Sequence, residues 1–186
     1  MSANPRKRGR LSLAKILNRT ELDIQKRLYW TIGTRRAVSM PNVYVFDSNE
    51  SDFVTVTKAG YIDEYEIKVT RSDLFADRKK HRHISYQHLS RWRWRTEGKI
   101  TWLYGQRAQY PNRFWYVVPE RLVREDEVPL FAGLMFVSET GRVFEVKKAP
   151  KLHGSKAAES IIQKIVASGY HRYLRNWANG SGSAFD

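Results

Sequence analysis

The sequence predicts an α/β fold in which a mixed central β-sheet is flanked by helices. Three observations predict it. Helical spacing of apolar residues occupies both ends of the chain, at 13–32 and 156–177. Short runs rich in β-branched and aromatic residues lie between them, and a capped helical stretch interrupts those runs after residue 70. With 186 residues the chain suits one domain with a single core. That domain is expected over 11–178, between a flexible basic arm at 1–10 and a flexible Gly/Ser-rich tail at 179–186.

The elements follow in order. The first helical stretch is broken near Thr20, where Thr20 and Asp23 have capping-box spacing. Residues 43–46 form a short strand candidate. Residues 53–57 and 61–69 read as two strands joined by Lys58, Ala59 and Gly60, a three-residue turn with glycine where a positive φ is needed. Thr70, Ser72 and Asp73 cap a helix expected to reach about residue 81. Residues 113–118 form another strand, ended by Pro119. Residues 130–137 and 143–147 form a second hairpin around Glu139, Thr140 and Gly141. The last helix, at 156–177, carries Ile161, Ile162, Ile165, Val166, Tyr173 and Leu174 as its apolar stripe.

Charge and composition narrow the function. Lysine and arginine number 33 against 19 acidic residues, a net charge of +14, and this surplus points to a polyanionic partner, nucleic acid being the commonest. The chain has no cysteine, which excludes disulfides, zinc ribbons and thiol catalysis. No apolar run is long enough to span a bilayer, so no membrane partner is expected and a cytoplasmic setting is.

The first hairpin places chemistry at a definite spot. Counting outwards from Thr57 opposite Tyr61 sets Asp52 opposite Glu66. Carboxylates facing each other across a sheet repel, and a divalent cation is the simplest neutraliser, Mg²⁺ characteristically taking one or two carboxylates with waters and phosphate oxygens. Alternation puts Glu64, Glu66 and Lys68 on one face, and Tyr65, Ile67 and Val69 on the other, toward the core. A lysine therefore stands beside the carboxylate pair, where it can orient water or offset charge developing on a phosphate.

The runs Asp52-Phe53-Val54-Thr55-Val56 and Asp63-Glu64-Tyr65-Glu66-Ile67-Lys68-Val69-Thr70-Arg71-Ser72-Asp73 resemble the PD-(D/E)xK nuclease superfamily, especially its small phage and bacterial members. The resemblance covers residues 20–82, and more loosely 112–119 and 133–150. It implies a restriction-endonuclease-like core and hydrolysis of phosphodiester bonds in DNA with Mg²⁺ or Mn²⁺, in the cytoplasm of a cell, or of the host if the source is viral. It implies Asp52, Glu66 and Lys68 as the catalytic set, with Asp52, Glu66, the Ile67 carbonyl and Glu21 at the metal. Glu21 lies on the stripe of Leu17, Ile24 and Leu28, and is equally placed to complement the helix dipole. Ser51 stands where the family usually has proline, which keeps Asp47 open as the alternative acid.

Nucleic-acid contacts are expected from the basic region that follows. Residues 78–107 hold nine cations, Arg78, Lys79, Lys80, Arg82, Arg91, Arg93, Arg95, Lys99 and Arg107, against Glu97 alone, interleaved with Tyr86, Trp92, Trp94, Trp102 and Tyr104. Arg71, Lys79, Lys80, Arg82, Arg91, Arg93 and Arg95 are the expected phosphate contacts; the tryptophans suit either base stacking or a core. His81, His83 and His88 read as surface or phosphate-facing groups. Two other functions stay open: a non-catalytic DNA- or RNA-binding protein on the same fold, and a Holliday-junction-type resolvase, which would act as a homodimer because paired incisions need two centres.

Overall fold

The computed structural model describes residues 20–45, 50–77 and 111–179, together with the backbone of two strands at 81–88 and 91–98. The basic arm, residues 11–19, Phe46, Asp47, Lys79, Lys80, residues 99–110 and the tail beyond Asn179 lie outside the described residues.

The chain is α/β, with a six-stranded mixed sheet flanked by helices. In order the elements are α1 (Glu21–Thr31), β1 (Val38–Val43), β2 (Ser51–Val56), β3 (Ile62–Ile67), α2 (Arg71–Asp77), β4 (His81–His88), β5 (Arg91–Gly98), β6 (Arg113–Pro119), β7 (Ala132–Val137), β8 (Val143–Lys147) and α3 (Glu159–Ala178). The sheet runs β1-β2-β3-β6-β7-β8, while β4 and β5 form a separate two-stranded sheet. Strands β3, β6 and β7 are mutually parallel and the other neighbours antiparallel. The carboxyl ends of three strands therefore collect on one side of the sheet.

Side-chain alternation divides the core in two. On one face Ile24 and Leu28 of α1 pack with Phe53, Tyr65, Ile67, Trp115, Val117 and Met135. On the other, Leu74 of α2 and Ile165 of α3 pack with Val54, Val56, Ile62, Phe114, Tyr116 and Val118. Local chemistry sets where the helices start. Thr20 and Asp23 form the expected capping box on α1, and the Thr70 hydroxyl accepts from the Asp73 N–H at the head of α2. Both expected hairpins form, with Gly60 at φ +85° and Gly141 at φ +87° in their turns, a region costly for residues bearing a Cβ.

Several boundaries move. The first strand is residues 38–43 rather than 43–46. Pro41 interrupts the strand pattern in sequence, but β1 is a sheet edge, where a missing N–H leaves no ladder bond unmade. Helix α2 ends at Asp77 rather than near residue 81, and His81 already begins β4, so the basic segment opens as a hairpin. The last helix starts at Glu159, with Ala158 still extended at ψ 147° and the Ala157 N–H bonded to the Gly60 carbonyl at 2.8 Å. Its stripe is also displaced. Ile165 is buried and Ile161 and Ile162 pack on the core, whereas Val166 and Tyr173 stay exposed, since the later turns meet β1 through Gly169 and Arg172.

Leu28 is fully buried and Trp30 is 72% exposed on the same helix. We expect Leu28→Ala to cost about 2–5 kcal/mol in urea unfolding and Trp30→Ala to stay within about 0.5 kcal/mol.

Candidate active site

The register of β2 against β3 pairs Phe53 with Tyr65, Val54 with Glu64, Thr55 with Asp63 and Val56 with Ile62. Extended by one residue, the same register sets Asp52 opposite Glu66. The Asp52 carboxylate accepts the Ile67 N–H at 2.7 Å, so it sits against the end of β3. Glu64 and Glu66 share the face of Val54 and Ile62, as alternation requires, and both are buried, along with Lys68.

Lys68 is the hub. Its Nζ donates to Glu66 Oε1 at 2.5 Å and lies 3.8 Å from Asp52 Oδ2 and 3.9 Å from Asp77 Oδ1. Burial is the largest influence on its proton affinity and lowers it, but the combined field of Glu66, Asp77 and Asp52 outweighs burial and holds the ammonium above its ordinary pKa. Asp52 moves the other way for a carboxylate. Burial and then repulsion from Glu66 raise it from 3.8 to about 7, against the pull of Lys68 and of the Ile67 N–H, with Glu21 adding a smaller repulsion. One buried cation thus faces an excess of carboxylates.

Glu21, Ile67, Lys68, Val69, Asp73 and Ala76 line an open cavity of about 240 Å³ beside these groups. Glu21 reaches it from the first turn of α1 and accepts from Gln25 Nε2 at 3.2 Å. That amide also donates to Asn42 Oδ1 at 2.5 Å and to the Asp52 carbonyl at 3.0 Å. Gln25 therefore ties α1 to the start of β2 at the carboxylates.

Among the described residues no three His, Cys, Asp or Glu side chains make a ready metal-binding group. The donor set still suits a hard divalent ion. Asp52 and Glu66 both reach Lys68 Nζ, burial and then repulsion from Glu66 raise the Asp52 pKa, and the cavity lined by Ile67, Lys68 and Glu21 opens next to them.

Three positioning groups were not foreseen. Asp77, with no solvent exposure, closes the far side of Lys68 and accepts from Tyr116 Oη at 2.9 Å. Tyr116 on β6 is far from Lys68 in sequence, whereas Asp77 ends α2, the helix that directly follows β3, and is brought back to Lys68 by the turn into that helix. Gln25 is the third; it is buried against the start of β2, which no spacing within α1 announces.

The expected phosphate contacts divide. Arg71 is half exposed but pairs with both carboxylate oxygens of Glu127, committing its charge within the fold. Arg82, Arg91, Arg93 and Arg95 lie in the β4–β5 hairpin, where Arg82 pairs with Glu97 in register and the other three take every second position of β5. Asp63, on the opposite face from Glu64 and Glu66, belongs to a separate structural cluster with Arg36 at 3.0 Å and Arg113 at 3.7 Å.

No protein-family model matches the chain, and no curated protein matches it. Among solved structures it is similar to a protein of unknown function from Silicibacter pomeroyi, at 17% identity and a TM-score of 0.59, over 90% of this chain and 98% of that one. Similarity at that level establishes a shared fold. No helix among the described residues is long and apolar enough to cross a membrane.

Two measurements follow from the electrostatics. Because folding raises the Asp52 pKa, the folded state binds more protons than the unfolded one between about pH 4 and 7. Without divalent ions, stability should therefore be greatest at the acid end of that window and fall as pH climbs to about 7. Urea unfolding in EDTA should show this slope, and Asp52→Asn should reduce it, buried Asp63 with its raised pKa adding a contribution of the same sign. Asp77→Asn removes one of the charges that raise Lys68, so the Lys68 Nζ pKa should fall, as followed by NMR of the lysine side chains.

Proposed function

We propose that the chain is a metal-dependent nuclease of the PD-(D/E)xK type that hydrolyses phosphodiester bonds in DNA. The observation that carries this reading is the convergence of Asp52, Glu66 and Lys68 at the carboxyl end of β3, with an open cavity alongside. The element order and the mixed sheet are compatible with the restriction-endonuclease-like core that the resemblance implies. Ligands in open α/β sheets are commonly taken outside the carboxyl ends of the strands, which is where this cluster lies.

Asp52, Glu66 and the Ile67 carbonyl would hold Mg²⁺ or Mn²⁺, with Glu21 at the rim. Such an ion would supply Lewis acidity toward the phosphoryl oxygen and lower the pKa of water. The protein's own groups do the rest. Lys68 keeps its proton, so it donates hydrogen bonds and offsets negative charge on the phosphoryl group rather than acting as a base. Asp77 and Tyr116 hold the ammonium in place from behind, and Gln25 fixes the β2 backbone at Asp52. The net charge of +14 supplies affinity for the polyanion without reading sequence.

A second reading, a non-catalytic nucleic-acid-binding protein, draws on one observation: Lys68 already neutralises part of the carboxylate charge from within. The two separate on labelled single-stranded, duplex, circular and branched DNA incubated with Mg²⁺, Mn²⁺ or EDTA. The nuclease reading expects metal-dependent cutting that falls at least about 100-fold in Glu66→Ala and in Lys68→Ala, with DNA binding retained. Binding without cutting under every metal, unchanged in both variants, would leave the second reading.

A further inference from the structure

Lys68 has more than one carboxylate within reach. Its Nζ donates to Glu66 Oε1 at 2.5 Å, with Asp52 Oδ2 at 3.8 Å and Asp77 Oδ1 at 3.9 Å. The lysine backbone is tied down, because its N–H is bonded to the Val117 carbonyl of β6 at 3.1 Å. The flexible stem of the side chain is what can move.

Two of these carboxylates are pinned by hydrogen bonds. Asp52 Oδ2 accepts the Ile67 N–H at 2.7 Å, and Asp77 Oδ2 accepts from Tyr116 Oη at 2.9 Å. Asp77 has no solvent exposure and Tyr116 is buried within the sheet's core, so this acceptor is held from the interior side of Lys68. Its other oxygen, Oδ1, is the one nearest the ammonium. Closing 3.9 Å to the roughly 2.8 Å of a charge-assisted hydrogen bond needs a side-chain shift of only about 1 Å.

The carboxylate that Lys68 holds is one that a divalent ion would use. Hard cations sit about 2.0–2.6 Å from carboxylate oxygens, so a metal on Glu66 and an ammonium on the same group repel. Displacing a buried ammonium is costly unless a second carboxylate receives it. We propose that Lys68 exchanges carboxylates: it holds Glu66 until a divalent cation binds Asp52 and Glu66, and is then received by Asp77, which Tyr116 keeps in place. Asp77 and Tyr116 are thereby positioning residues for metal loading, a role that rests on the metal reading of Asp52 and Glu66. A monovalent ion brings no more charge than the ammonium it replaces, whereas a divalent ion does, so the exchange favours divalent ions.

The test uses the full chain with Mg²⁺, by calorimetry and by NMR of the lysine ammonium groups. Scalar coupling across the Lys68 hydrogen bond should reach the Glu66 carboxyl carbon in EDTA and the Asp77 carboxyl carbon at saturating Mg²⁺. That measurement needs no substitution and does not depend on any variant folding. Lys68→Met should tighten Mg²⁺ about tenfold by removing the competitor. Asp77→Asn should weaken Mg²⁺ about tenfold. In the Lys68→Met background, Asp77→Asn should change affinity less than about threefold, because no ammonium is left to receive. An Asp77 effect that persists at full size there is a simple field effect and would overturn the exchange. So would coupling that stays on Glu66 with Mg²⁺ bound, or absence of Mg²⁺ binding in both wild type and Lys68→Met. Exchange without any cleavage of DNA would remove the nuclease reading and leave the exchange standing; Mg²⁺-dependent cleavage with the coupling fixed on Glu66 would do the reverse.

Discussion

The pairing of β2 with β3 is the constraint on which the rest of the molecule depends. Lys58, Ala59 and Gly60 close the turn, and Gly60 at φ +85° takes a conformation that a Cβ would disfavour. The turn length then sets which residue faces which. A slip of one position would exchange the two faces of a strand. As it stands, Phe53, Tyr65 and Ile67 go to the α1 side, and Val54, Ile62, Glu64 and Glu66 go to the α2 and α3 side. The same register brings Asp52 to the end of β3 and leaves Lys68 just beyond the last ladder pair. Hydrophobic burial and the charged cluster are therefore two results of one turn.

That cluster is expensive for a fold to maintain. Glu64, Glu66, Lys68 and Asp77 are all buried, and Asp52 is nearly so. Placing several carboxylates around one ammonium in a poorly solvated region costs more than a packed apolar patch of the same size. Ser51 Oγ on Glu64 at 2.7 Å, the Ile67 N–H on Asp52 and Tyr116 Oη on Asp77 offset part of that cost without cancelling the excess charge. Perturbed groups beside a cavity that Lys68 lines are physically suited to binding a cation or a phosphate, whereas Asp63 on the opposite face is held between Arg36 and Arg113.

Sequence made the local features of this fold legible and left the distant ones hidden. The Thr20–Asp23 capping box, the Thr70 cap, both hairpins and the β2–β3 register are decided by residues a few positions apart, and spacing exposes them. Tyr116 reaches the site through Asp77 from β6, and the Glu127 partner of Arg71 lies on a connection between β6 and β7, so nothing near Lys68 or Arg71 signals either of them. Strand β1 lies earlier than the 43–46 run suggests, and Pro41 fits within it because β1 is a sheet edge. In α3 the periodicity was real, but the sequence does not show which part of an apolar arc faces the sheet, and Gly169 against Met40 turns Val166 and Tyr173 outward.

Pro41 has a consequence for how the molecule can associate. An exposed sheet edge normally offers a row of amides and carbonyls that invites another strand to dock. Along β1 that row is broken: Pro41 has no amide proton to offer, its carbonyl and that of Asn42 are capped by Arg172, and Asn42 at φ +50° turns the backbone out of strand geometry. At this edge the sheet is closed to extension by another chain, and any partner arriving there must be held by side chains rather than by backbone pairing.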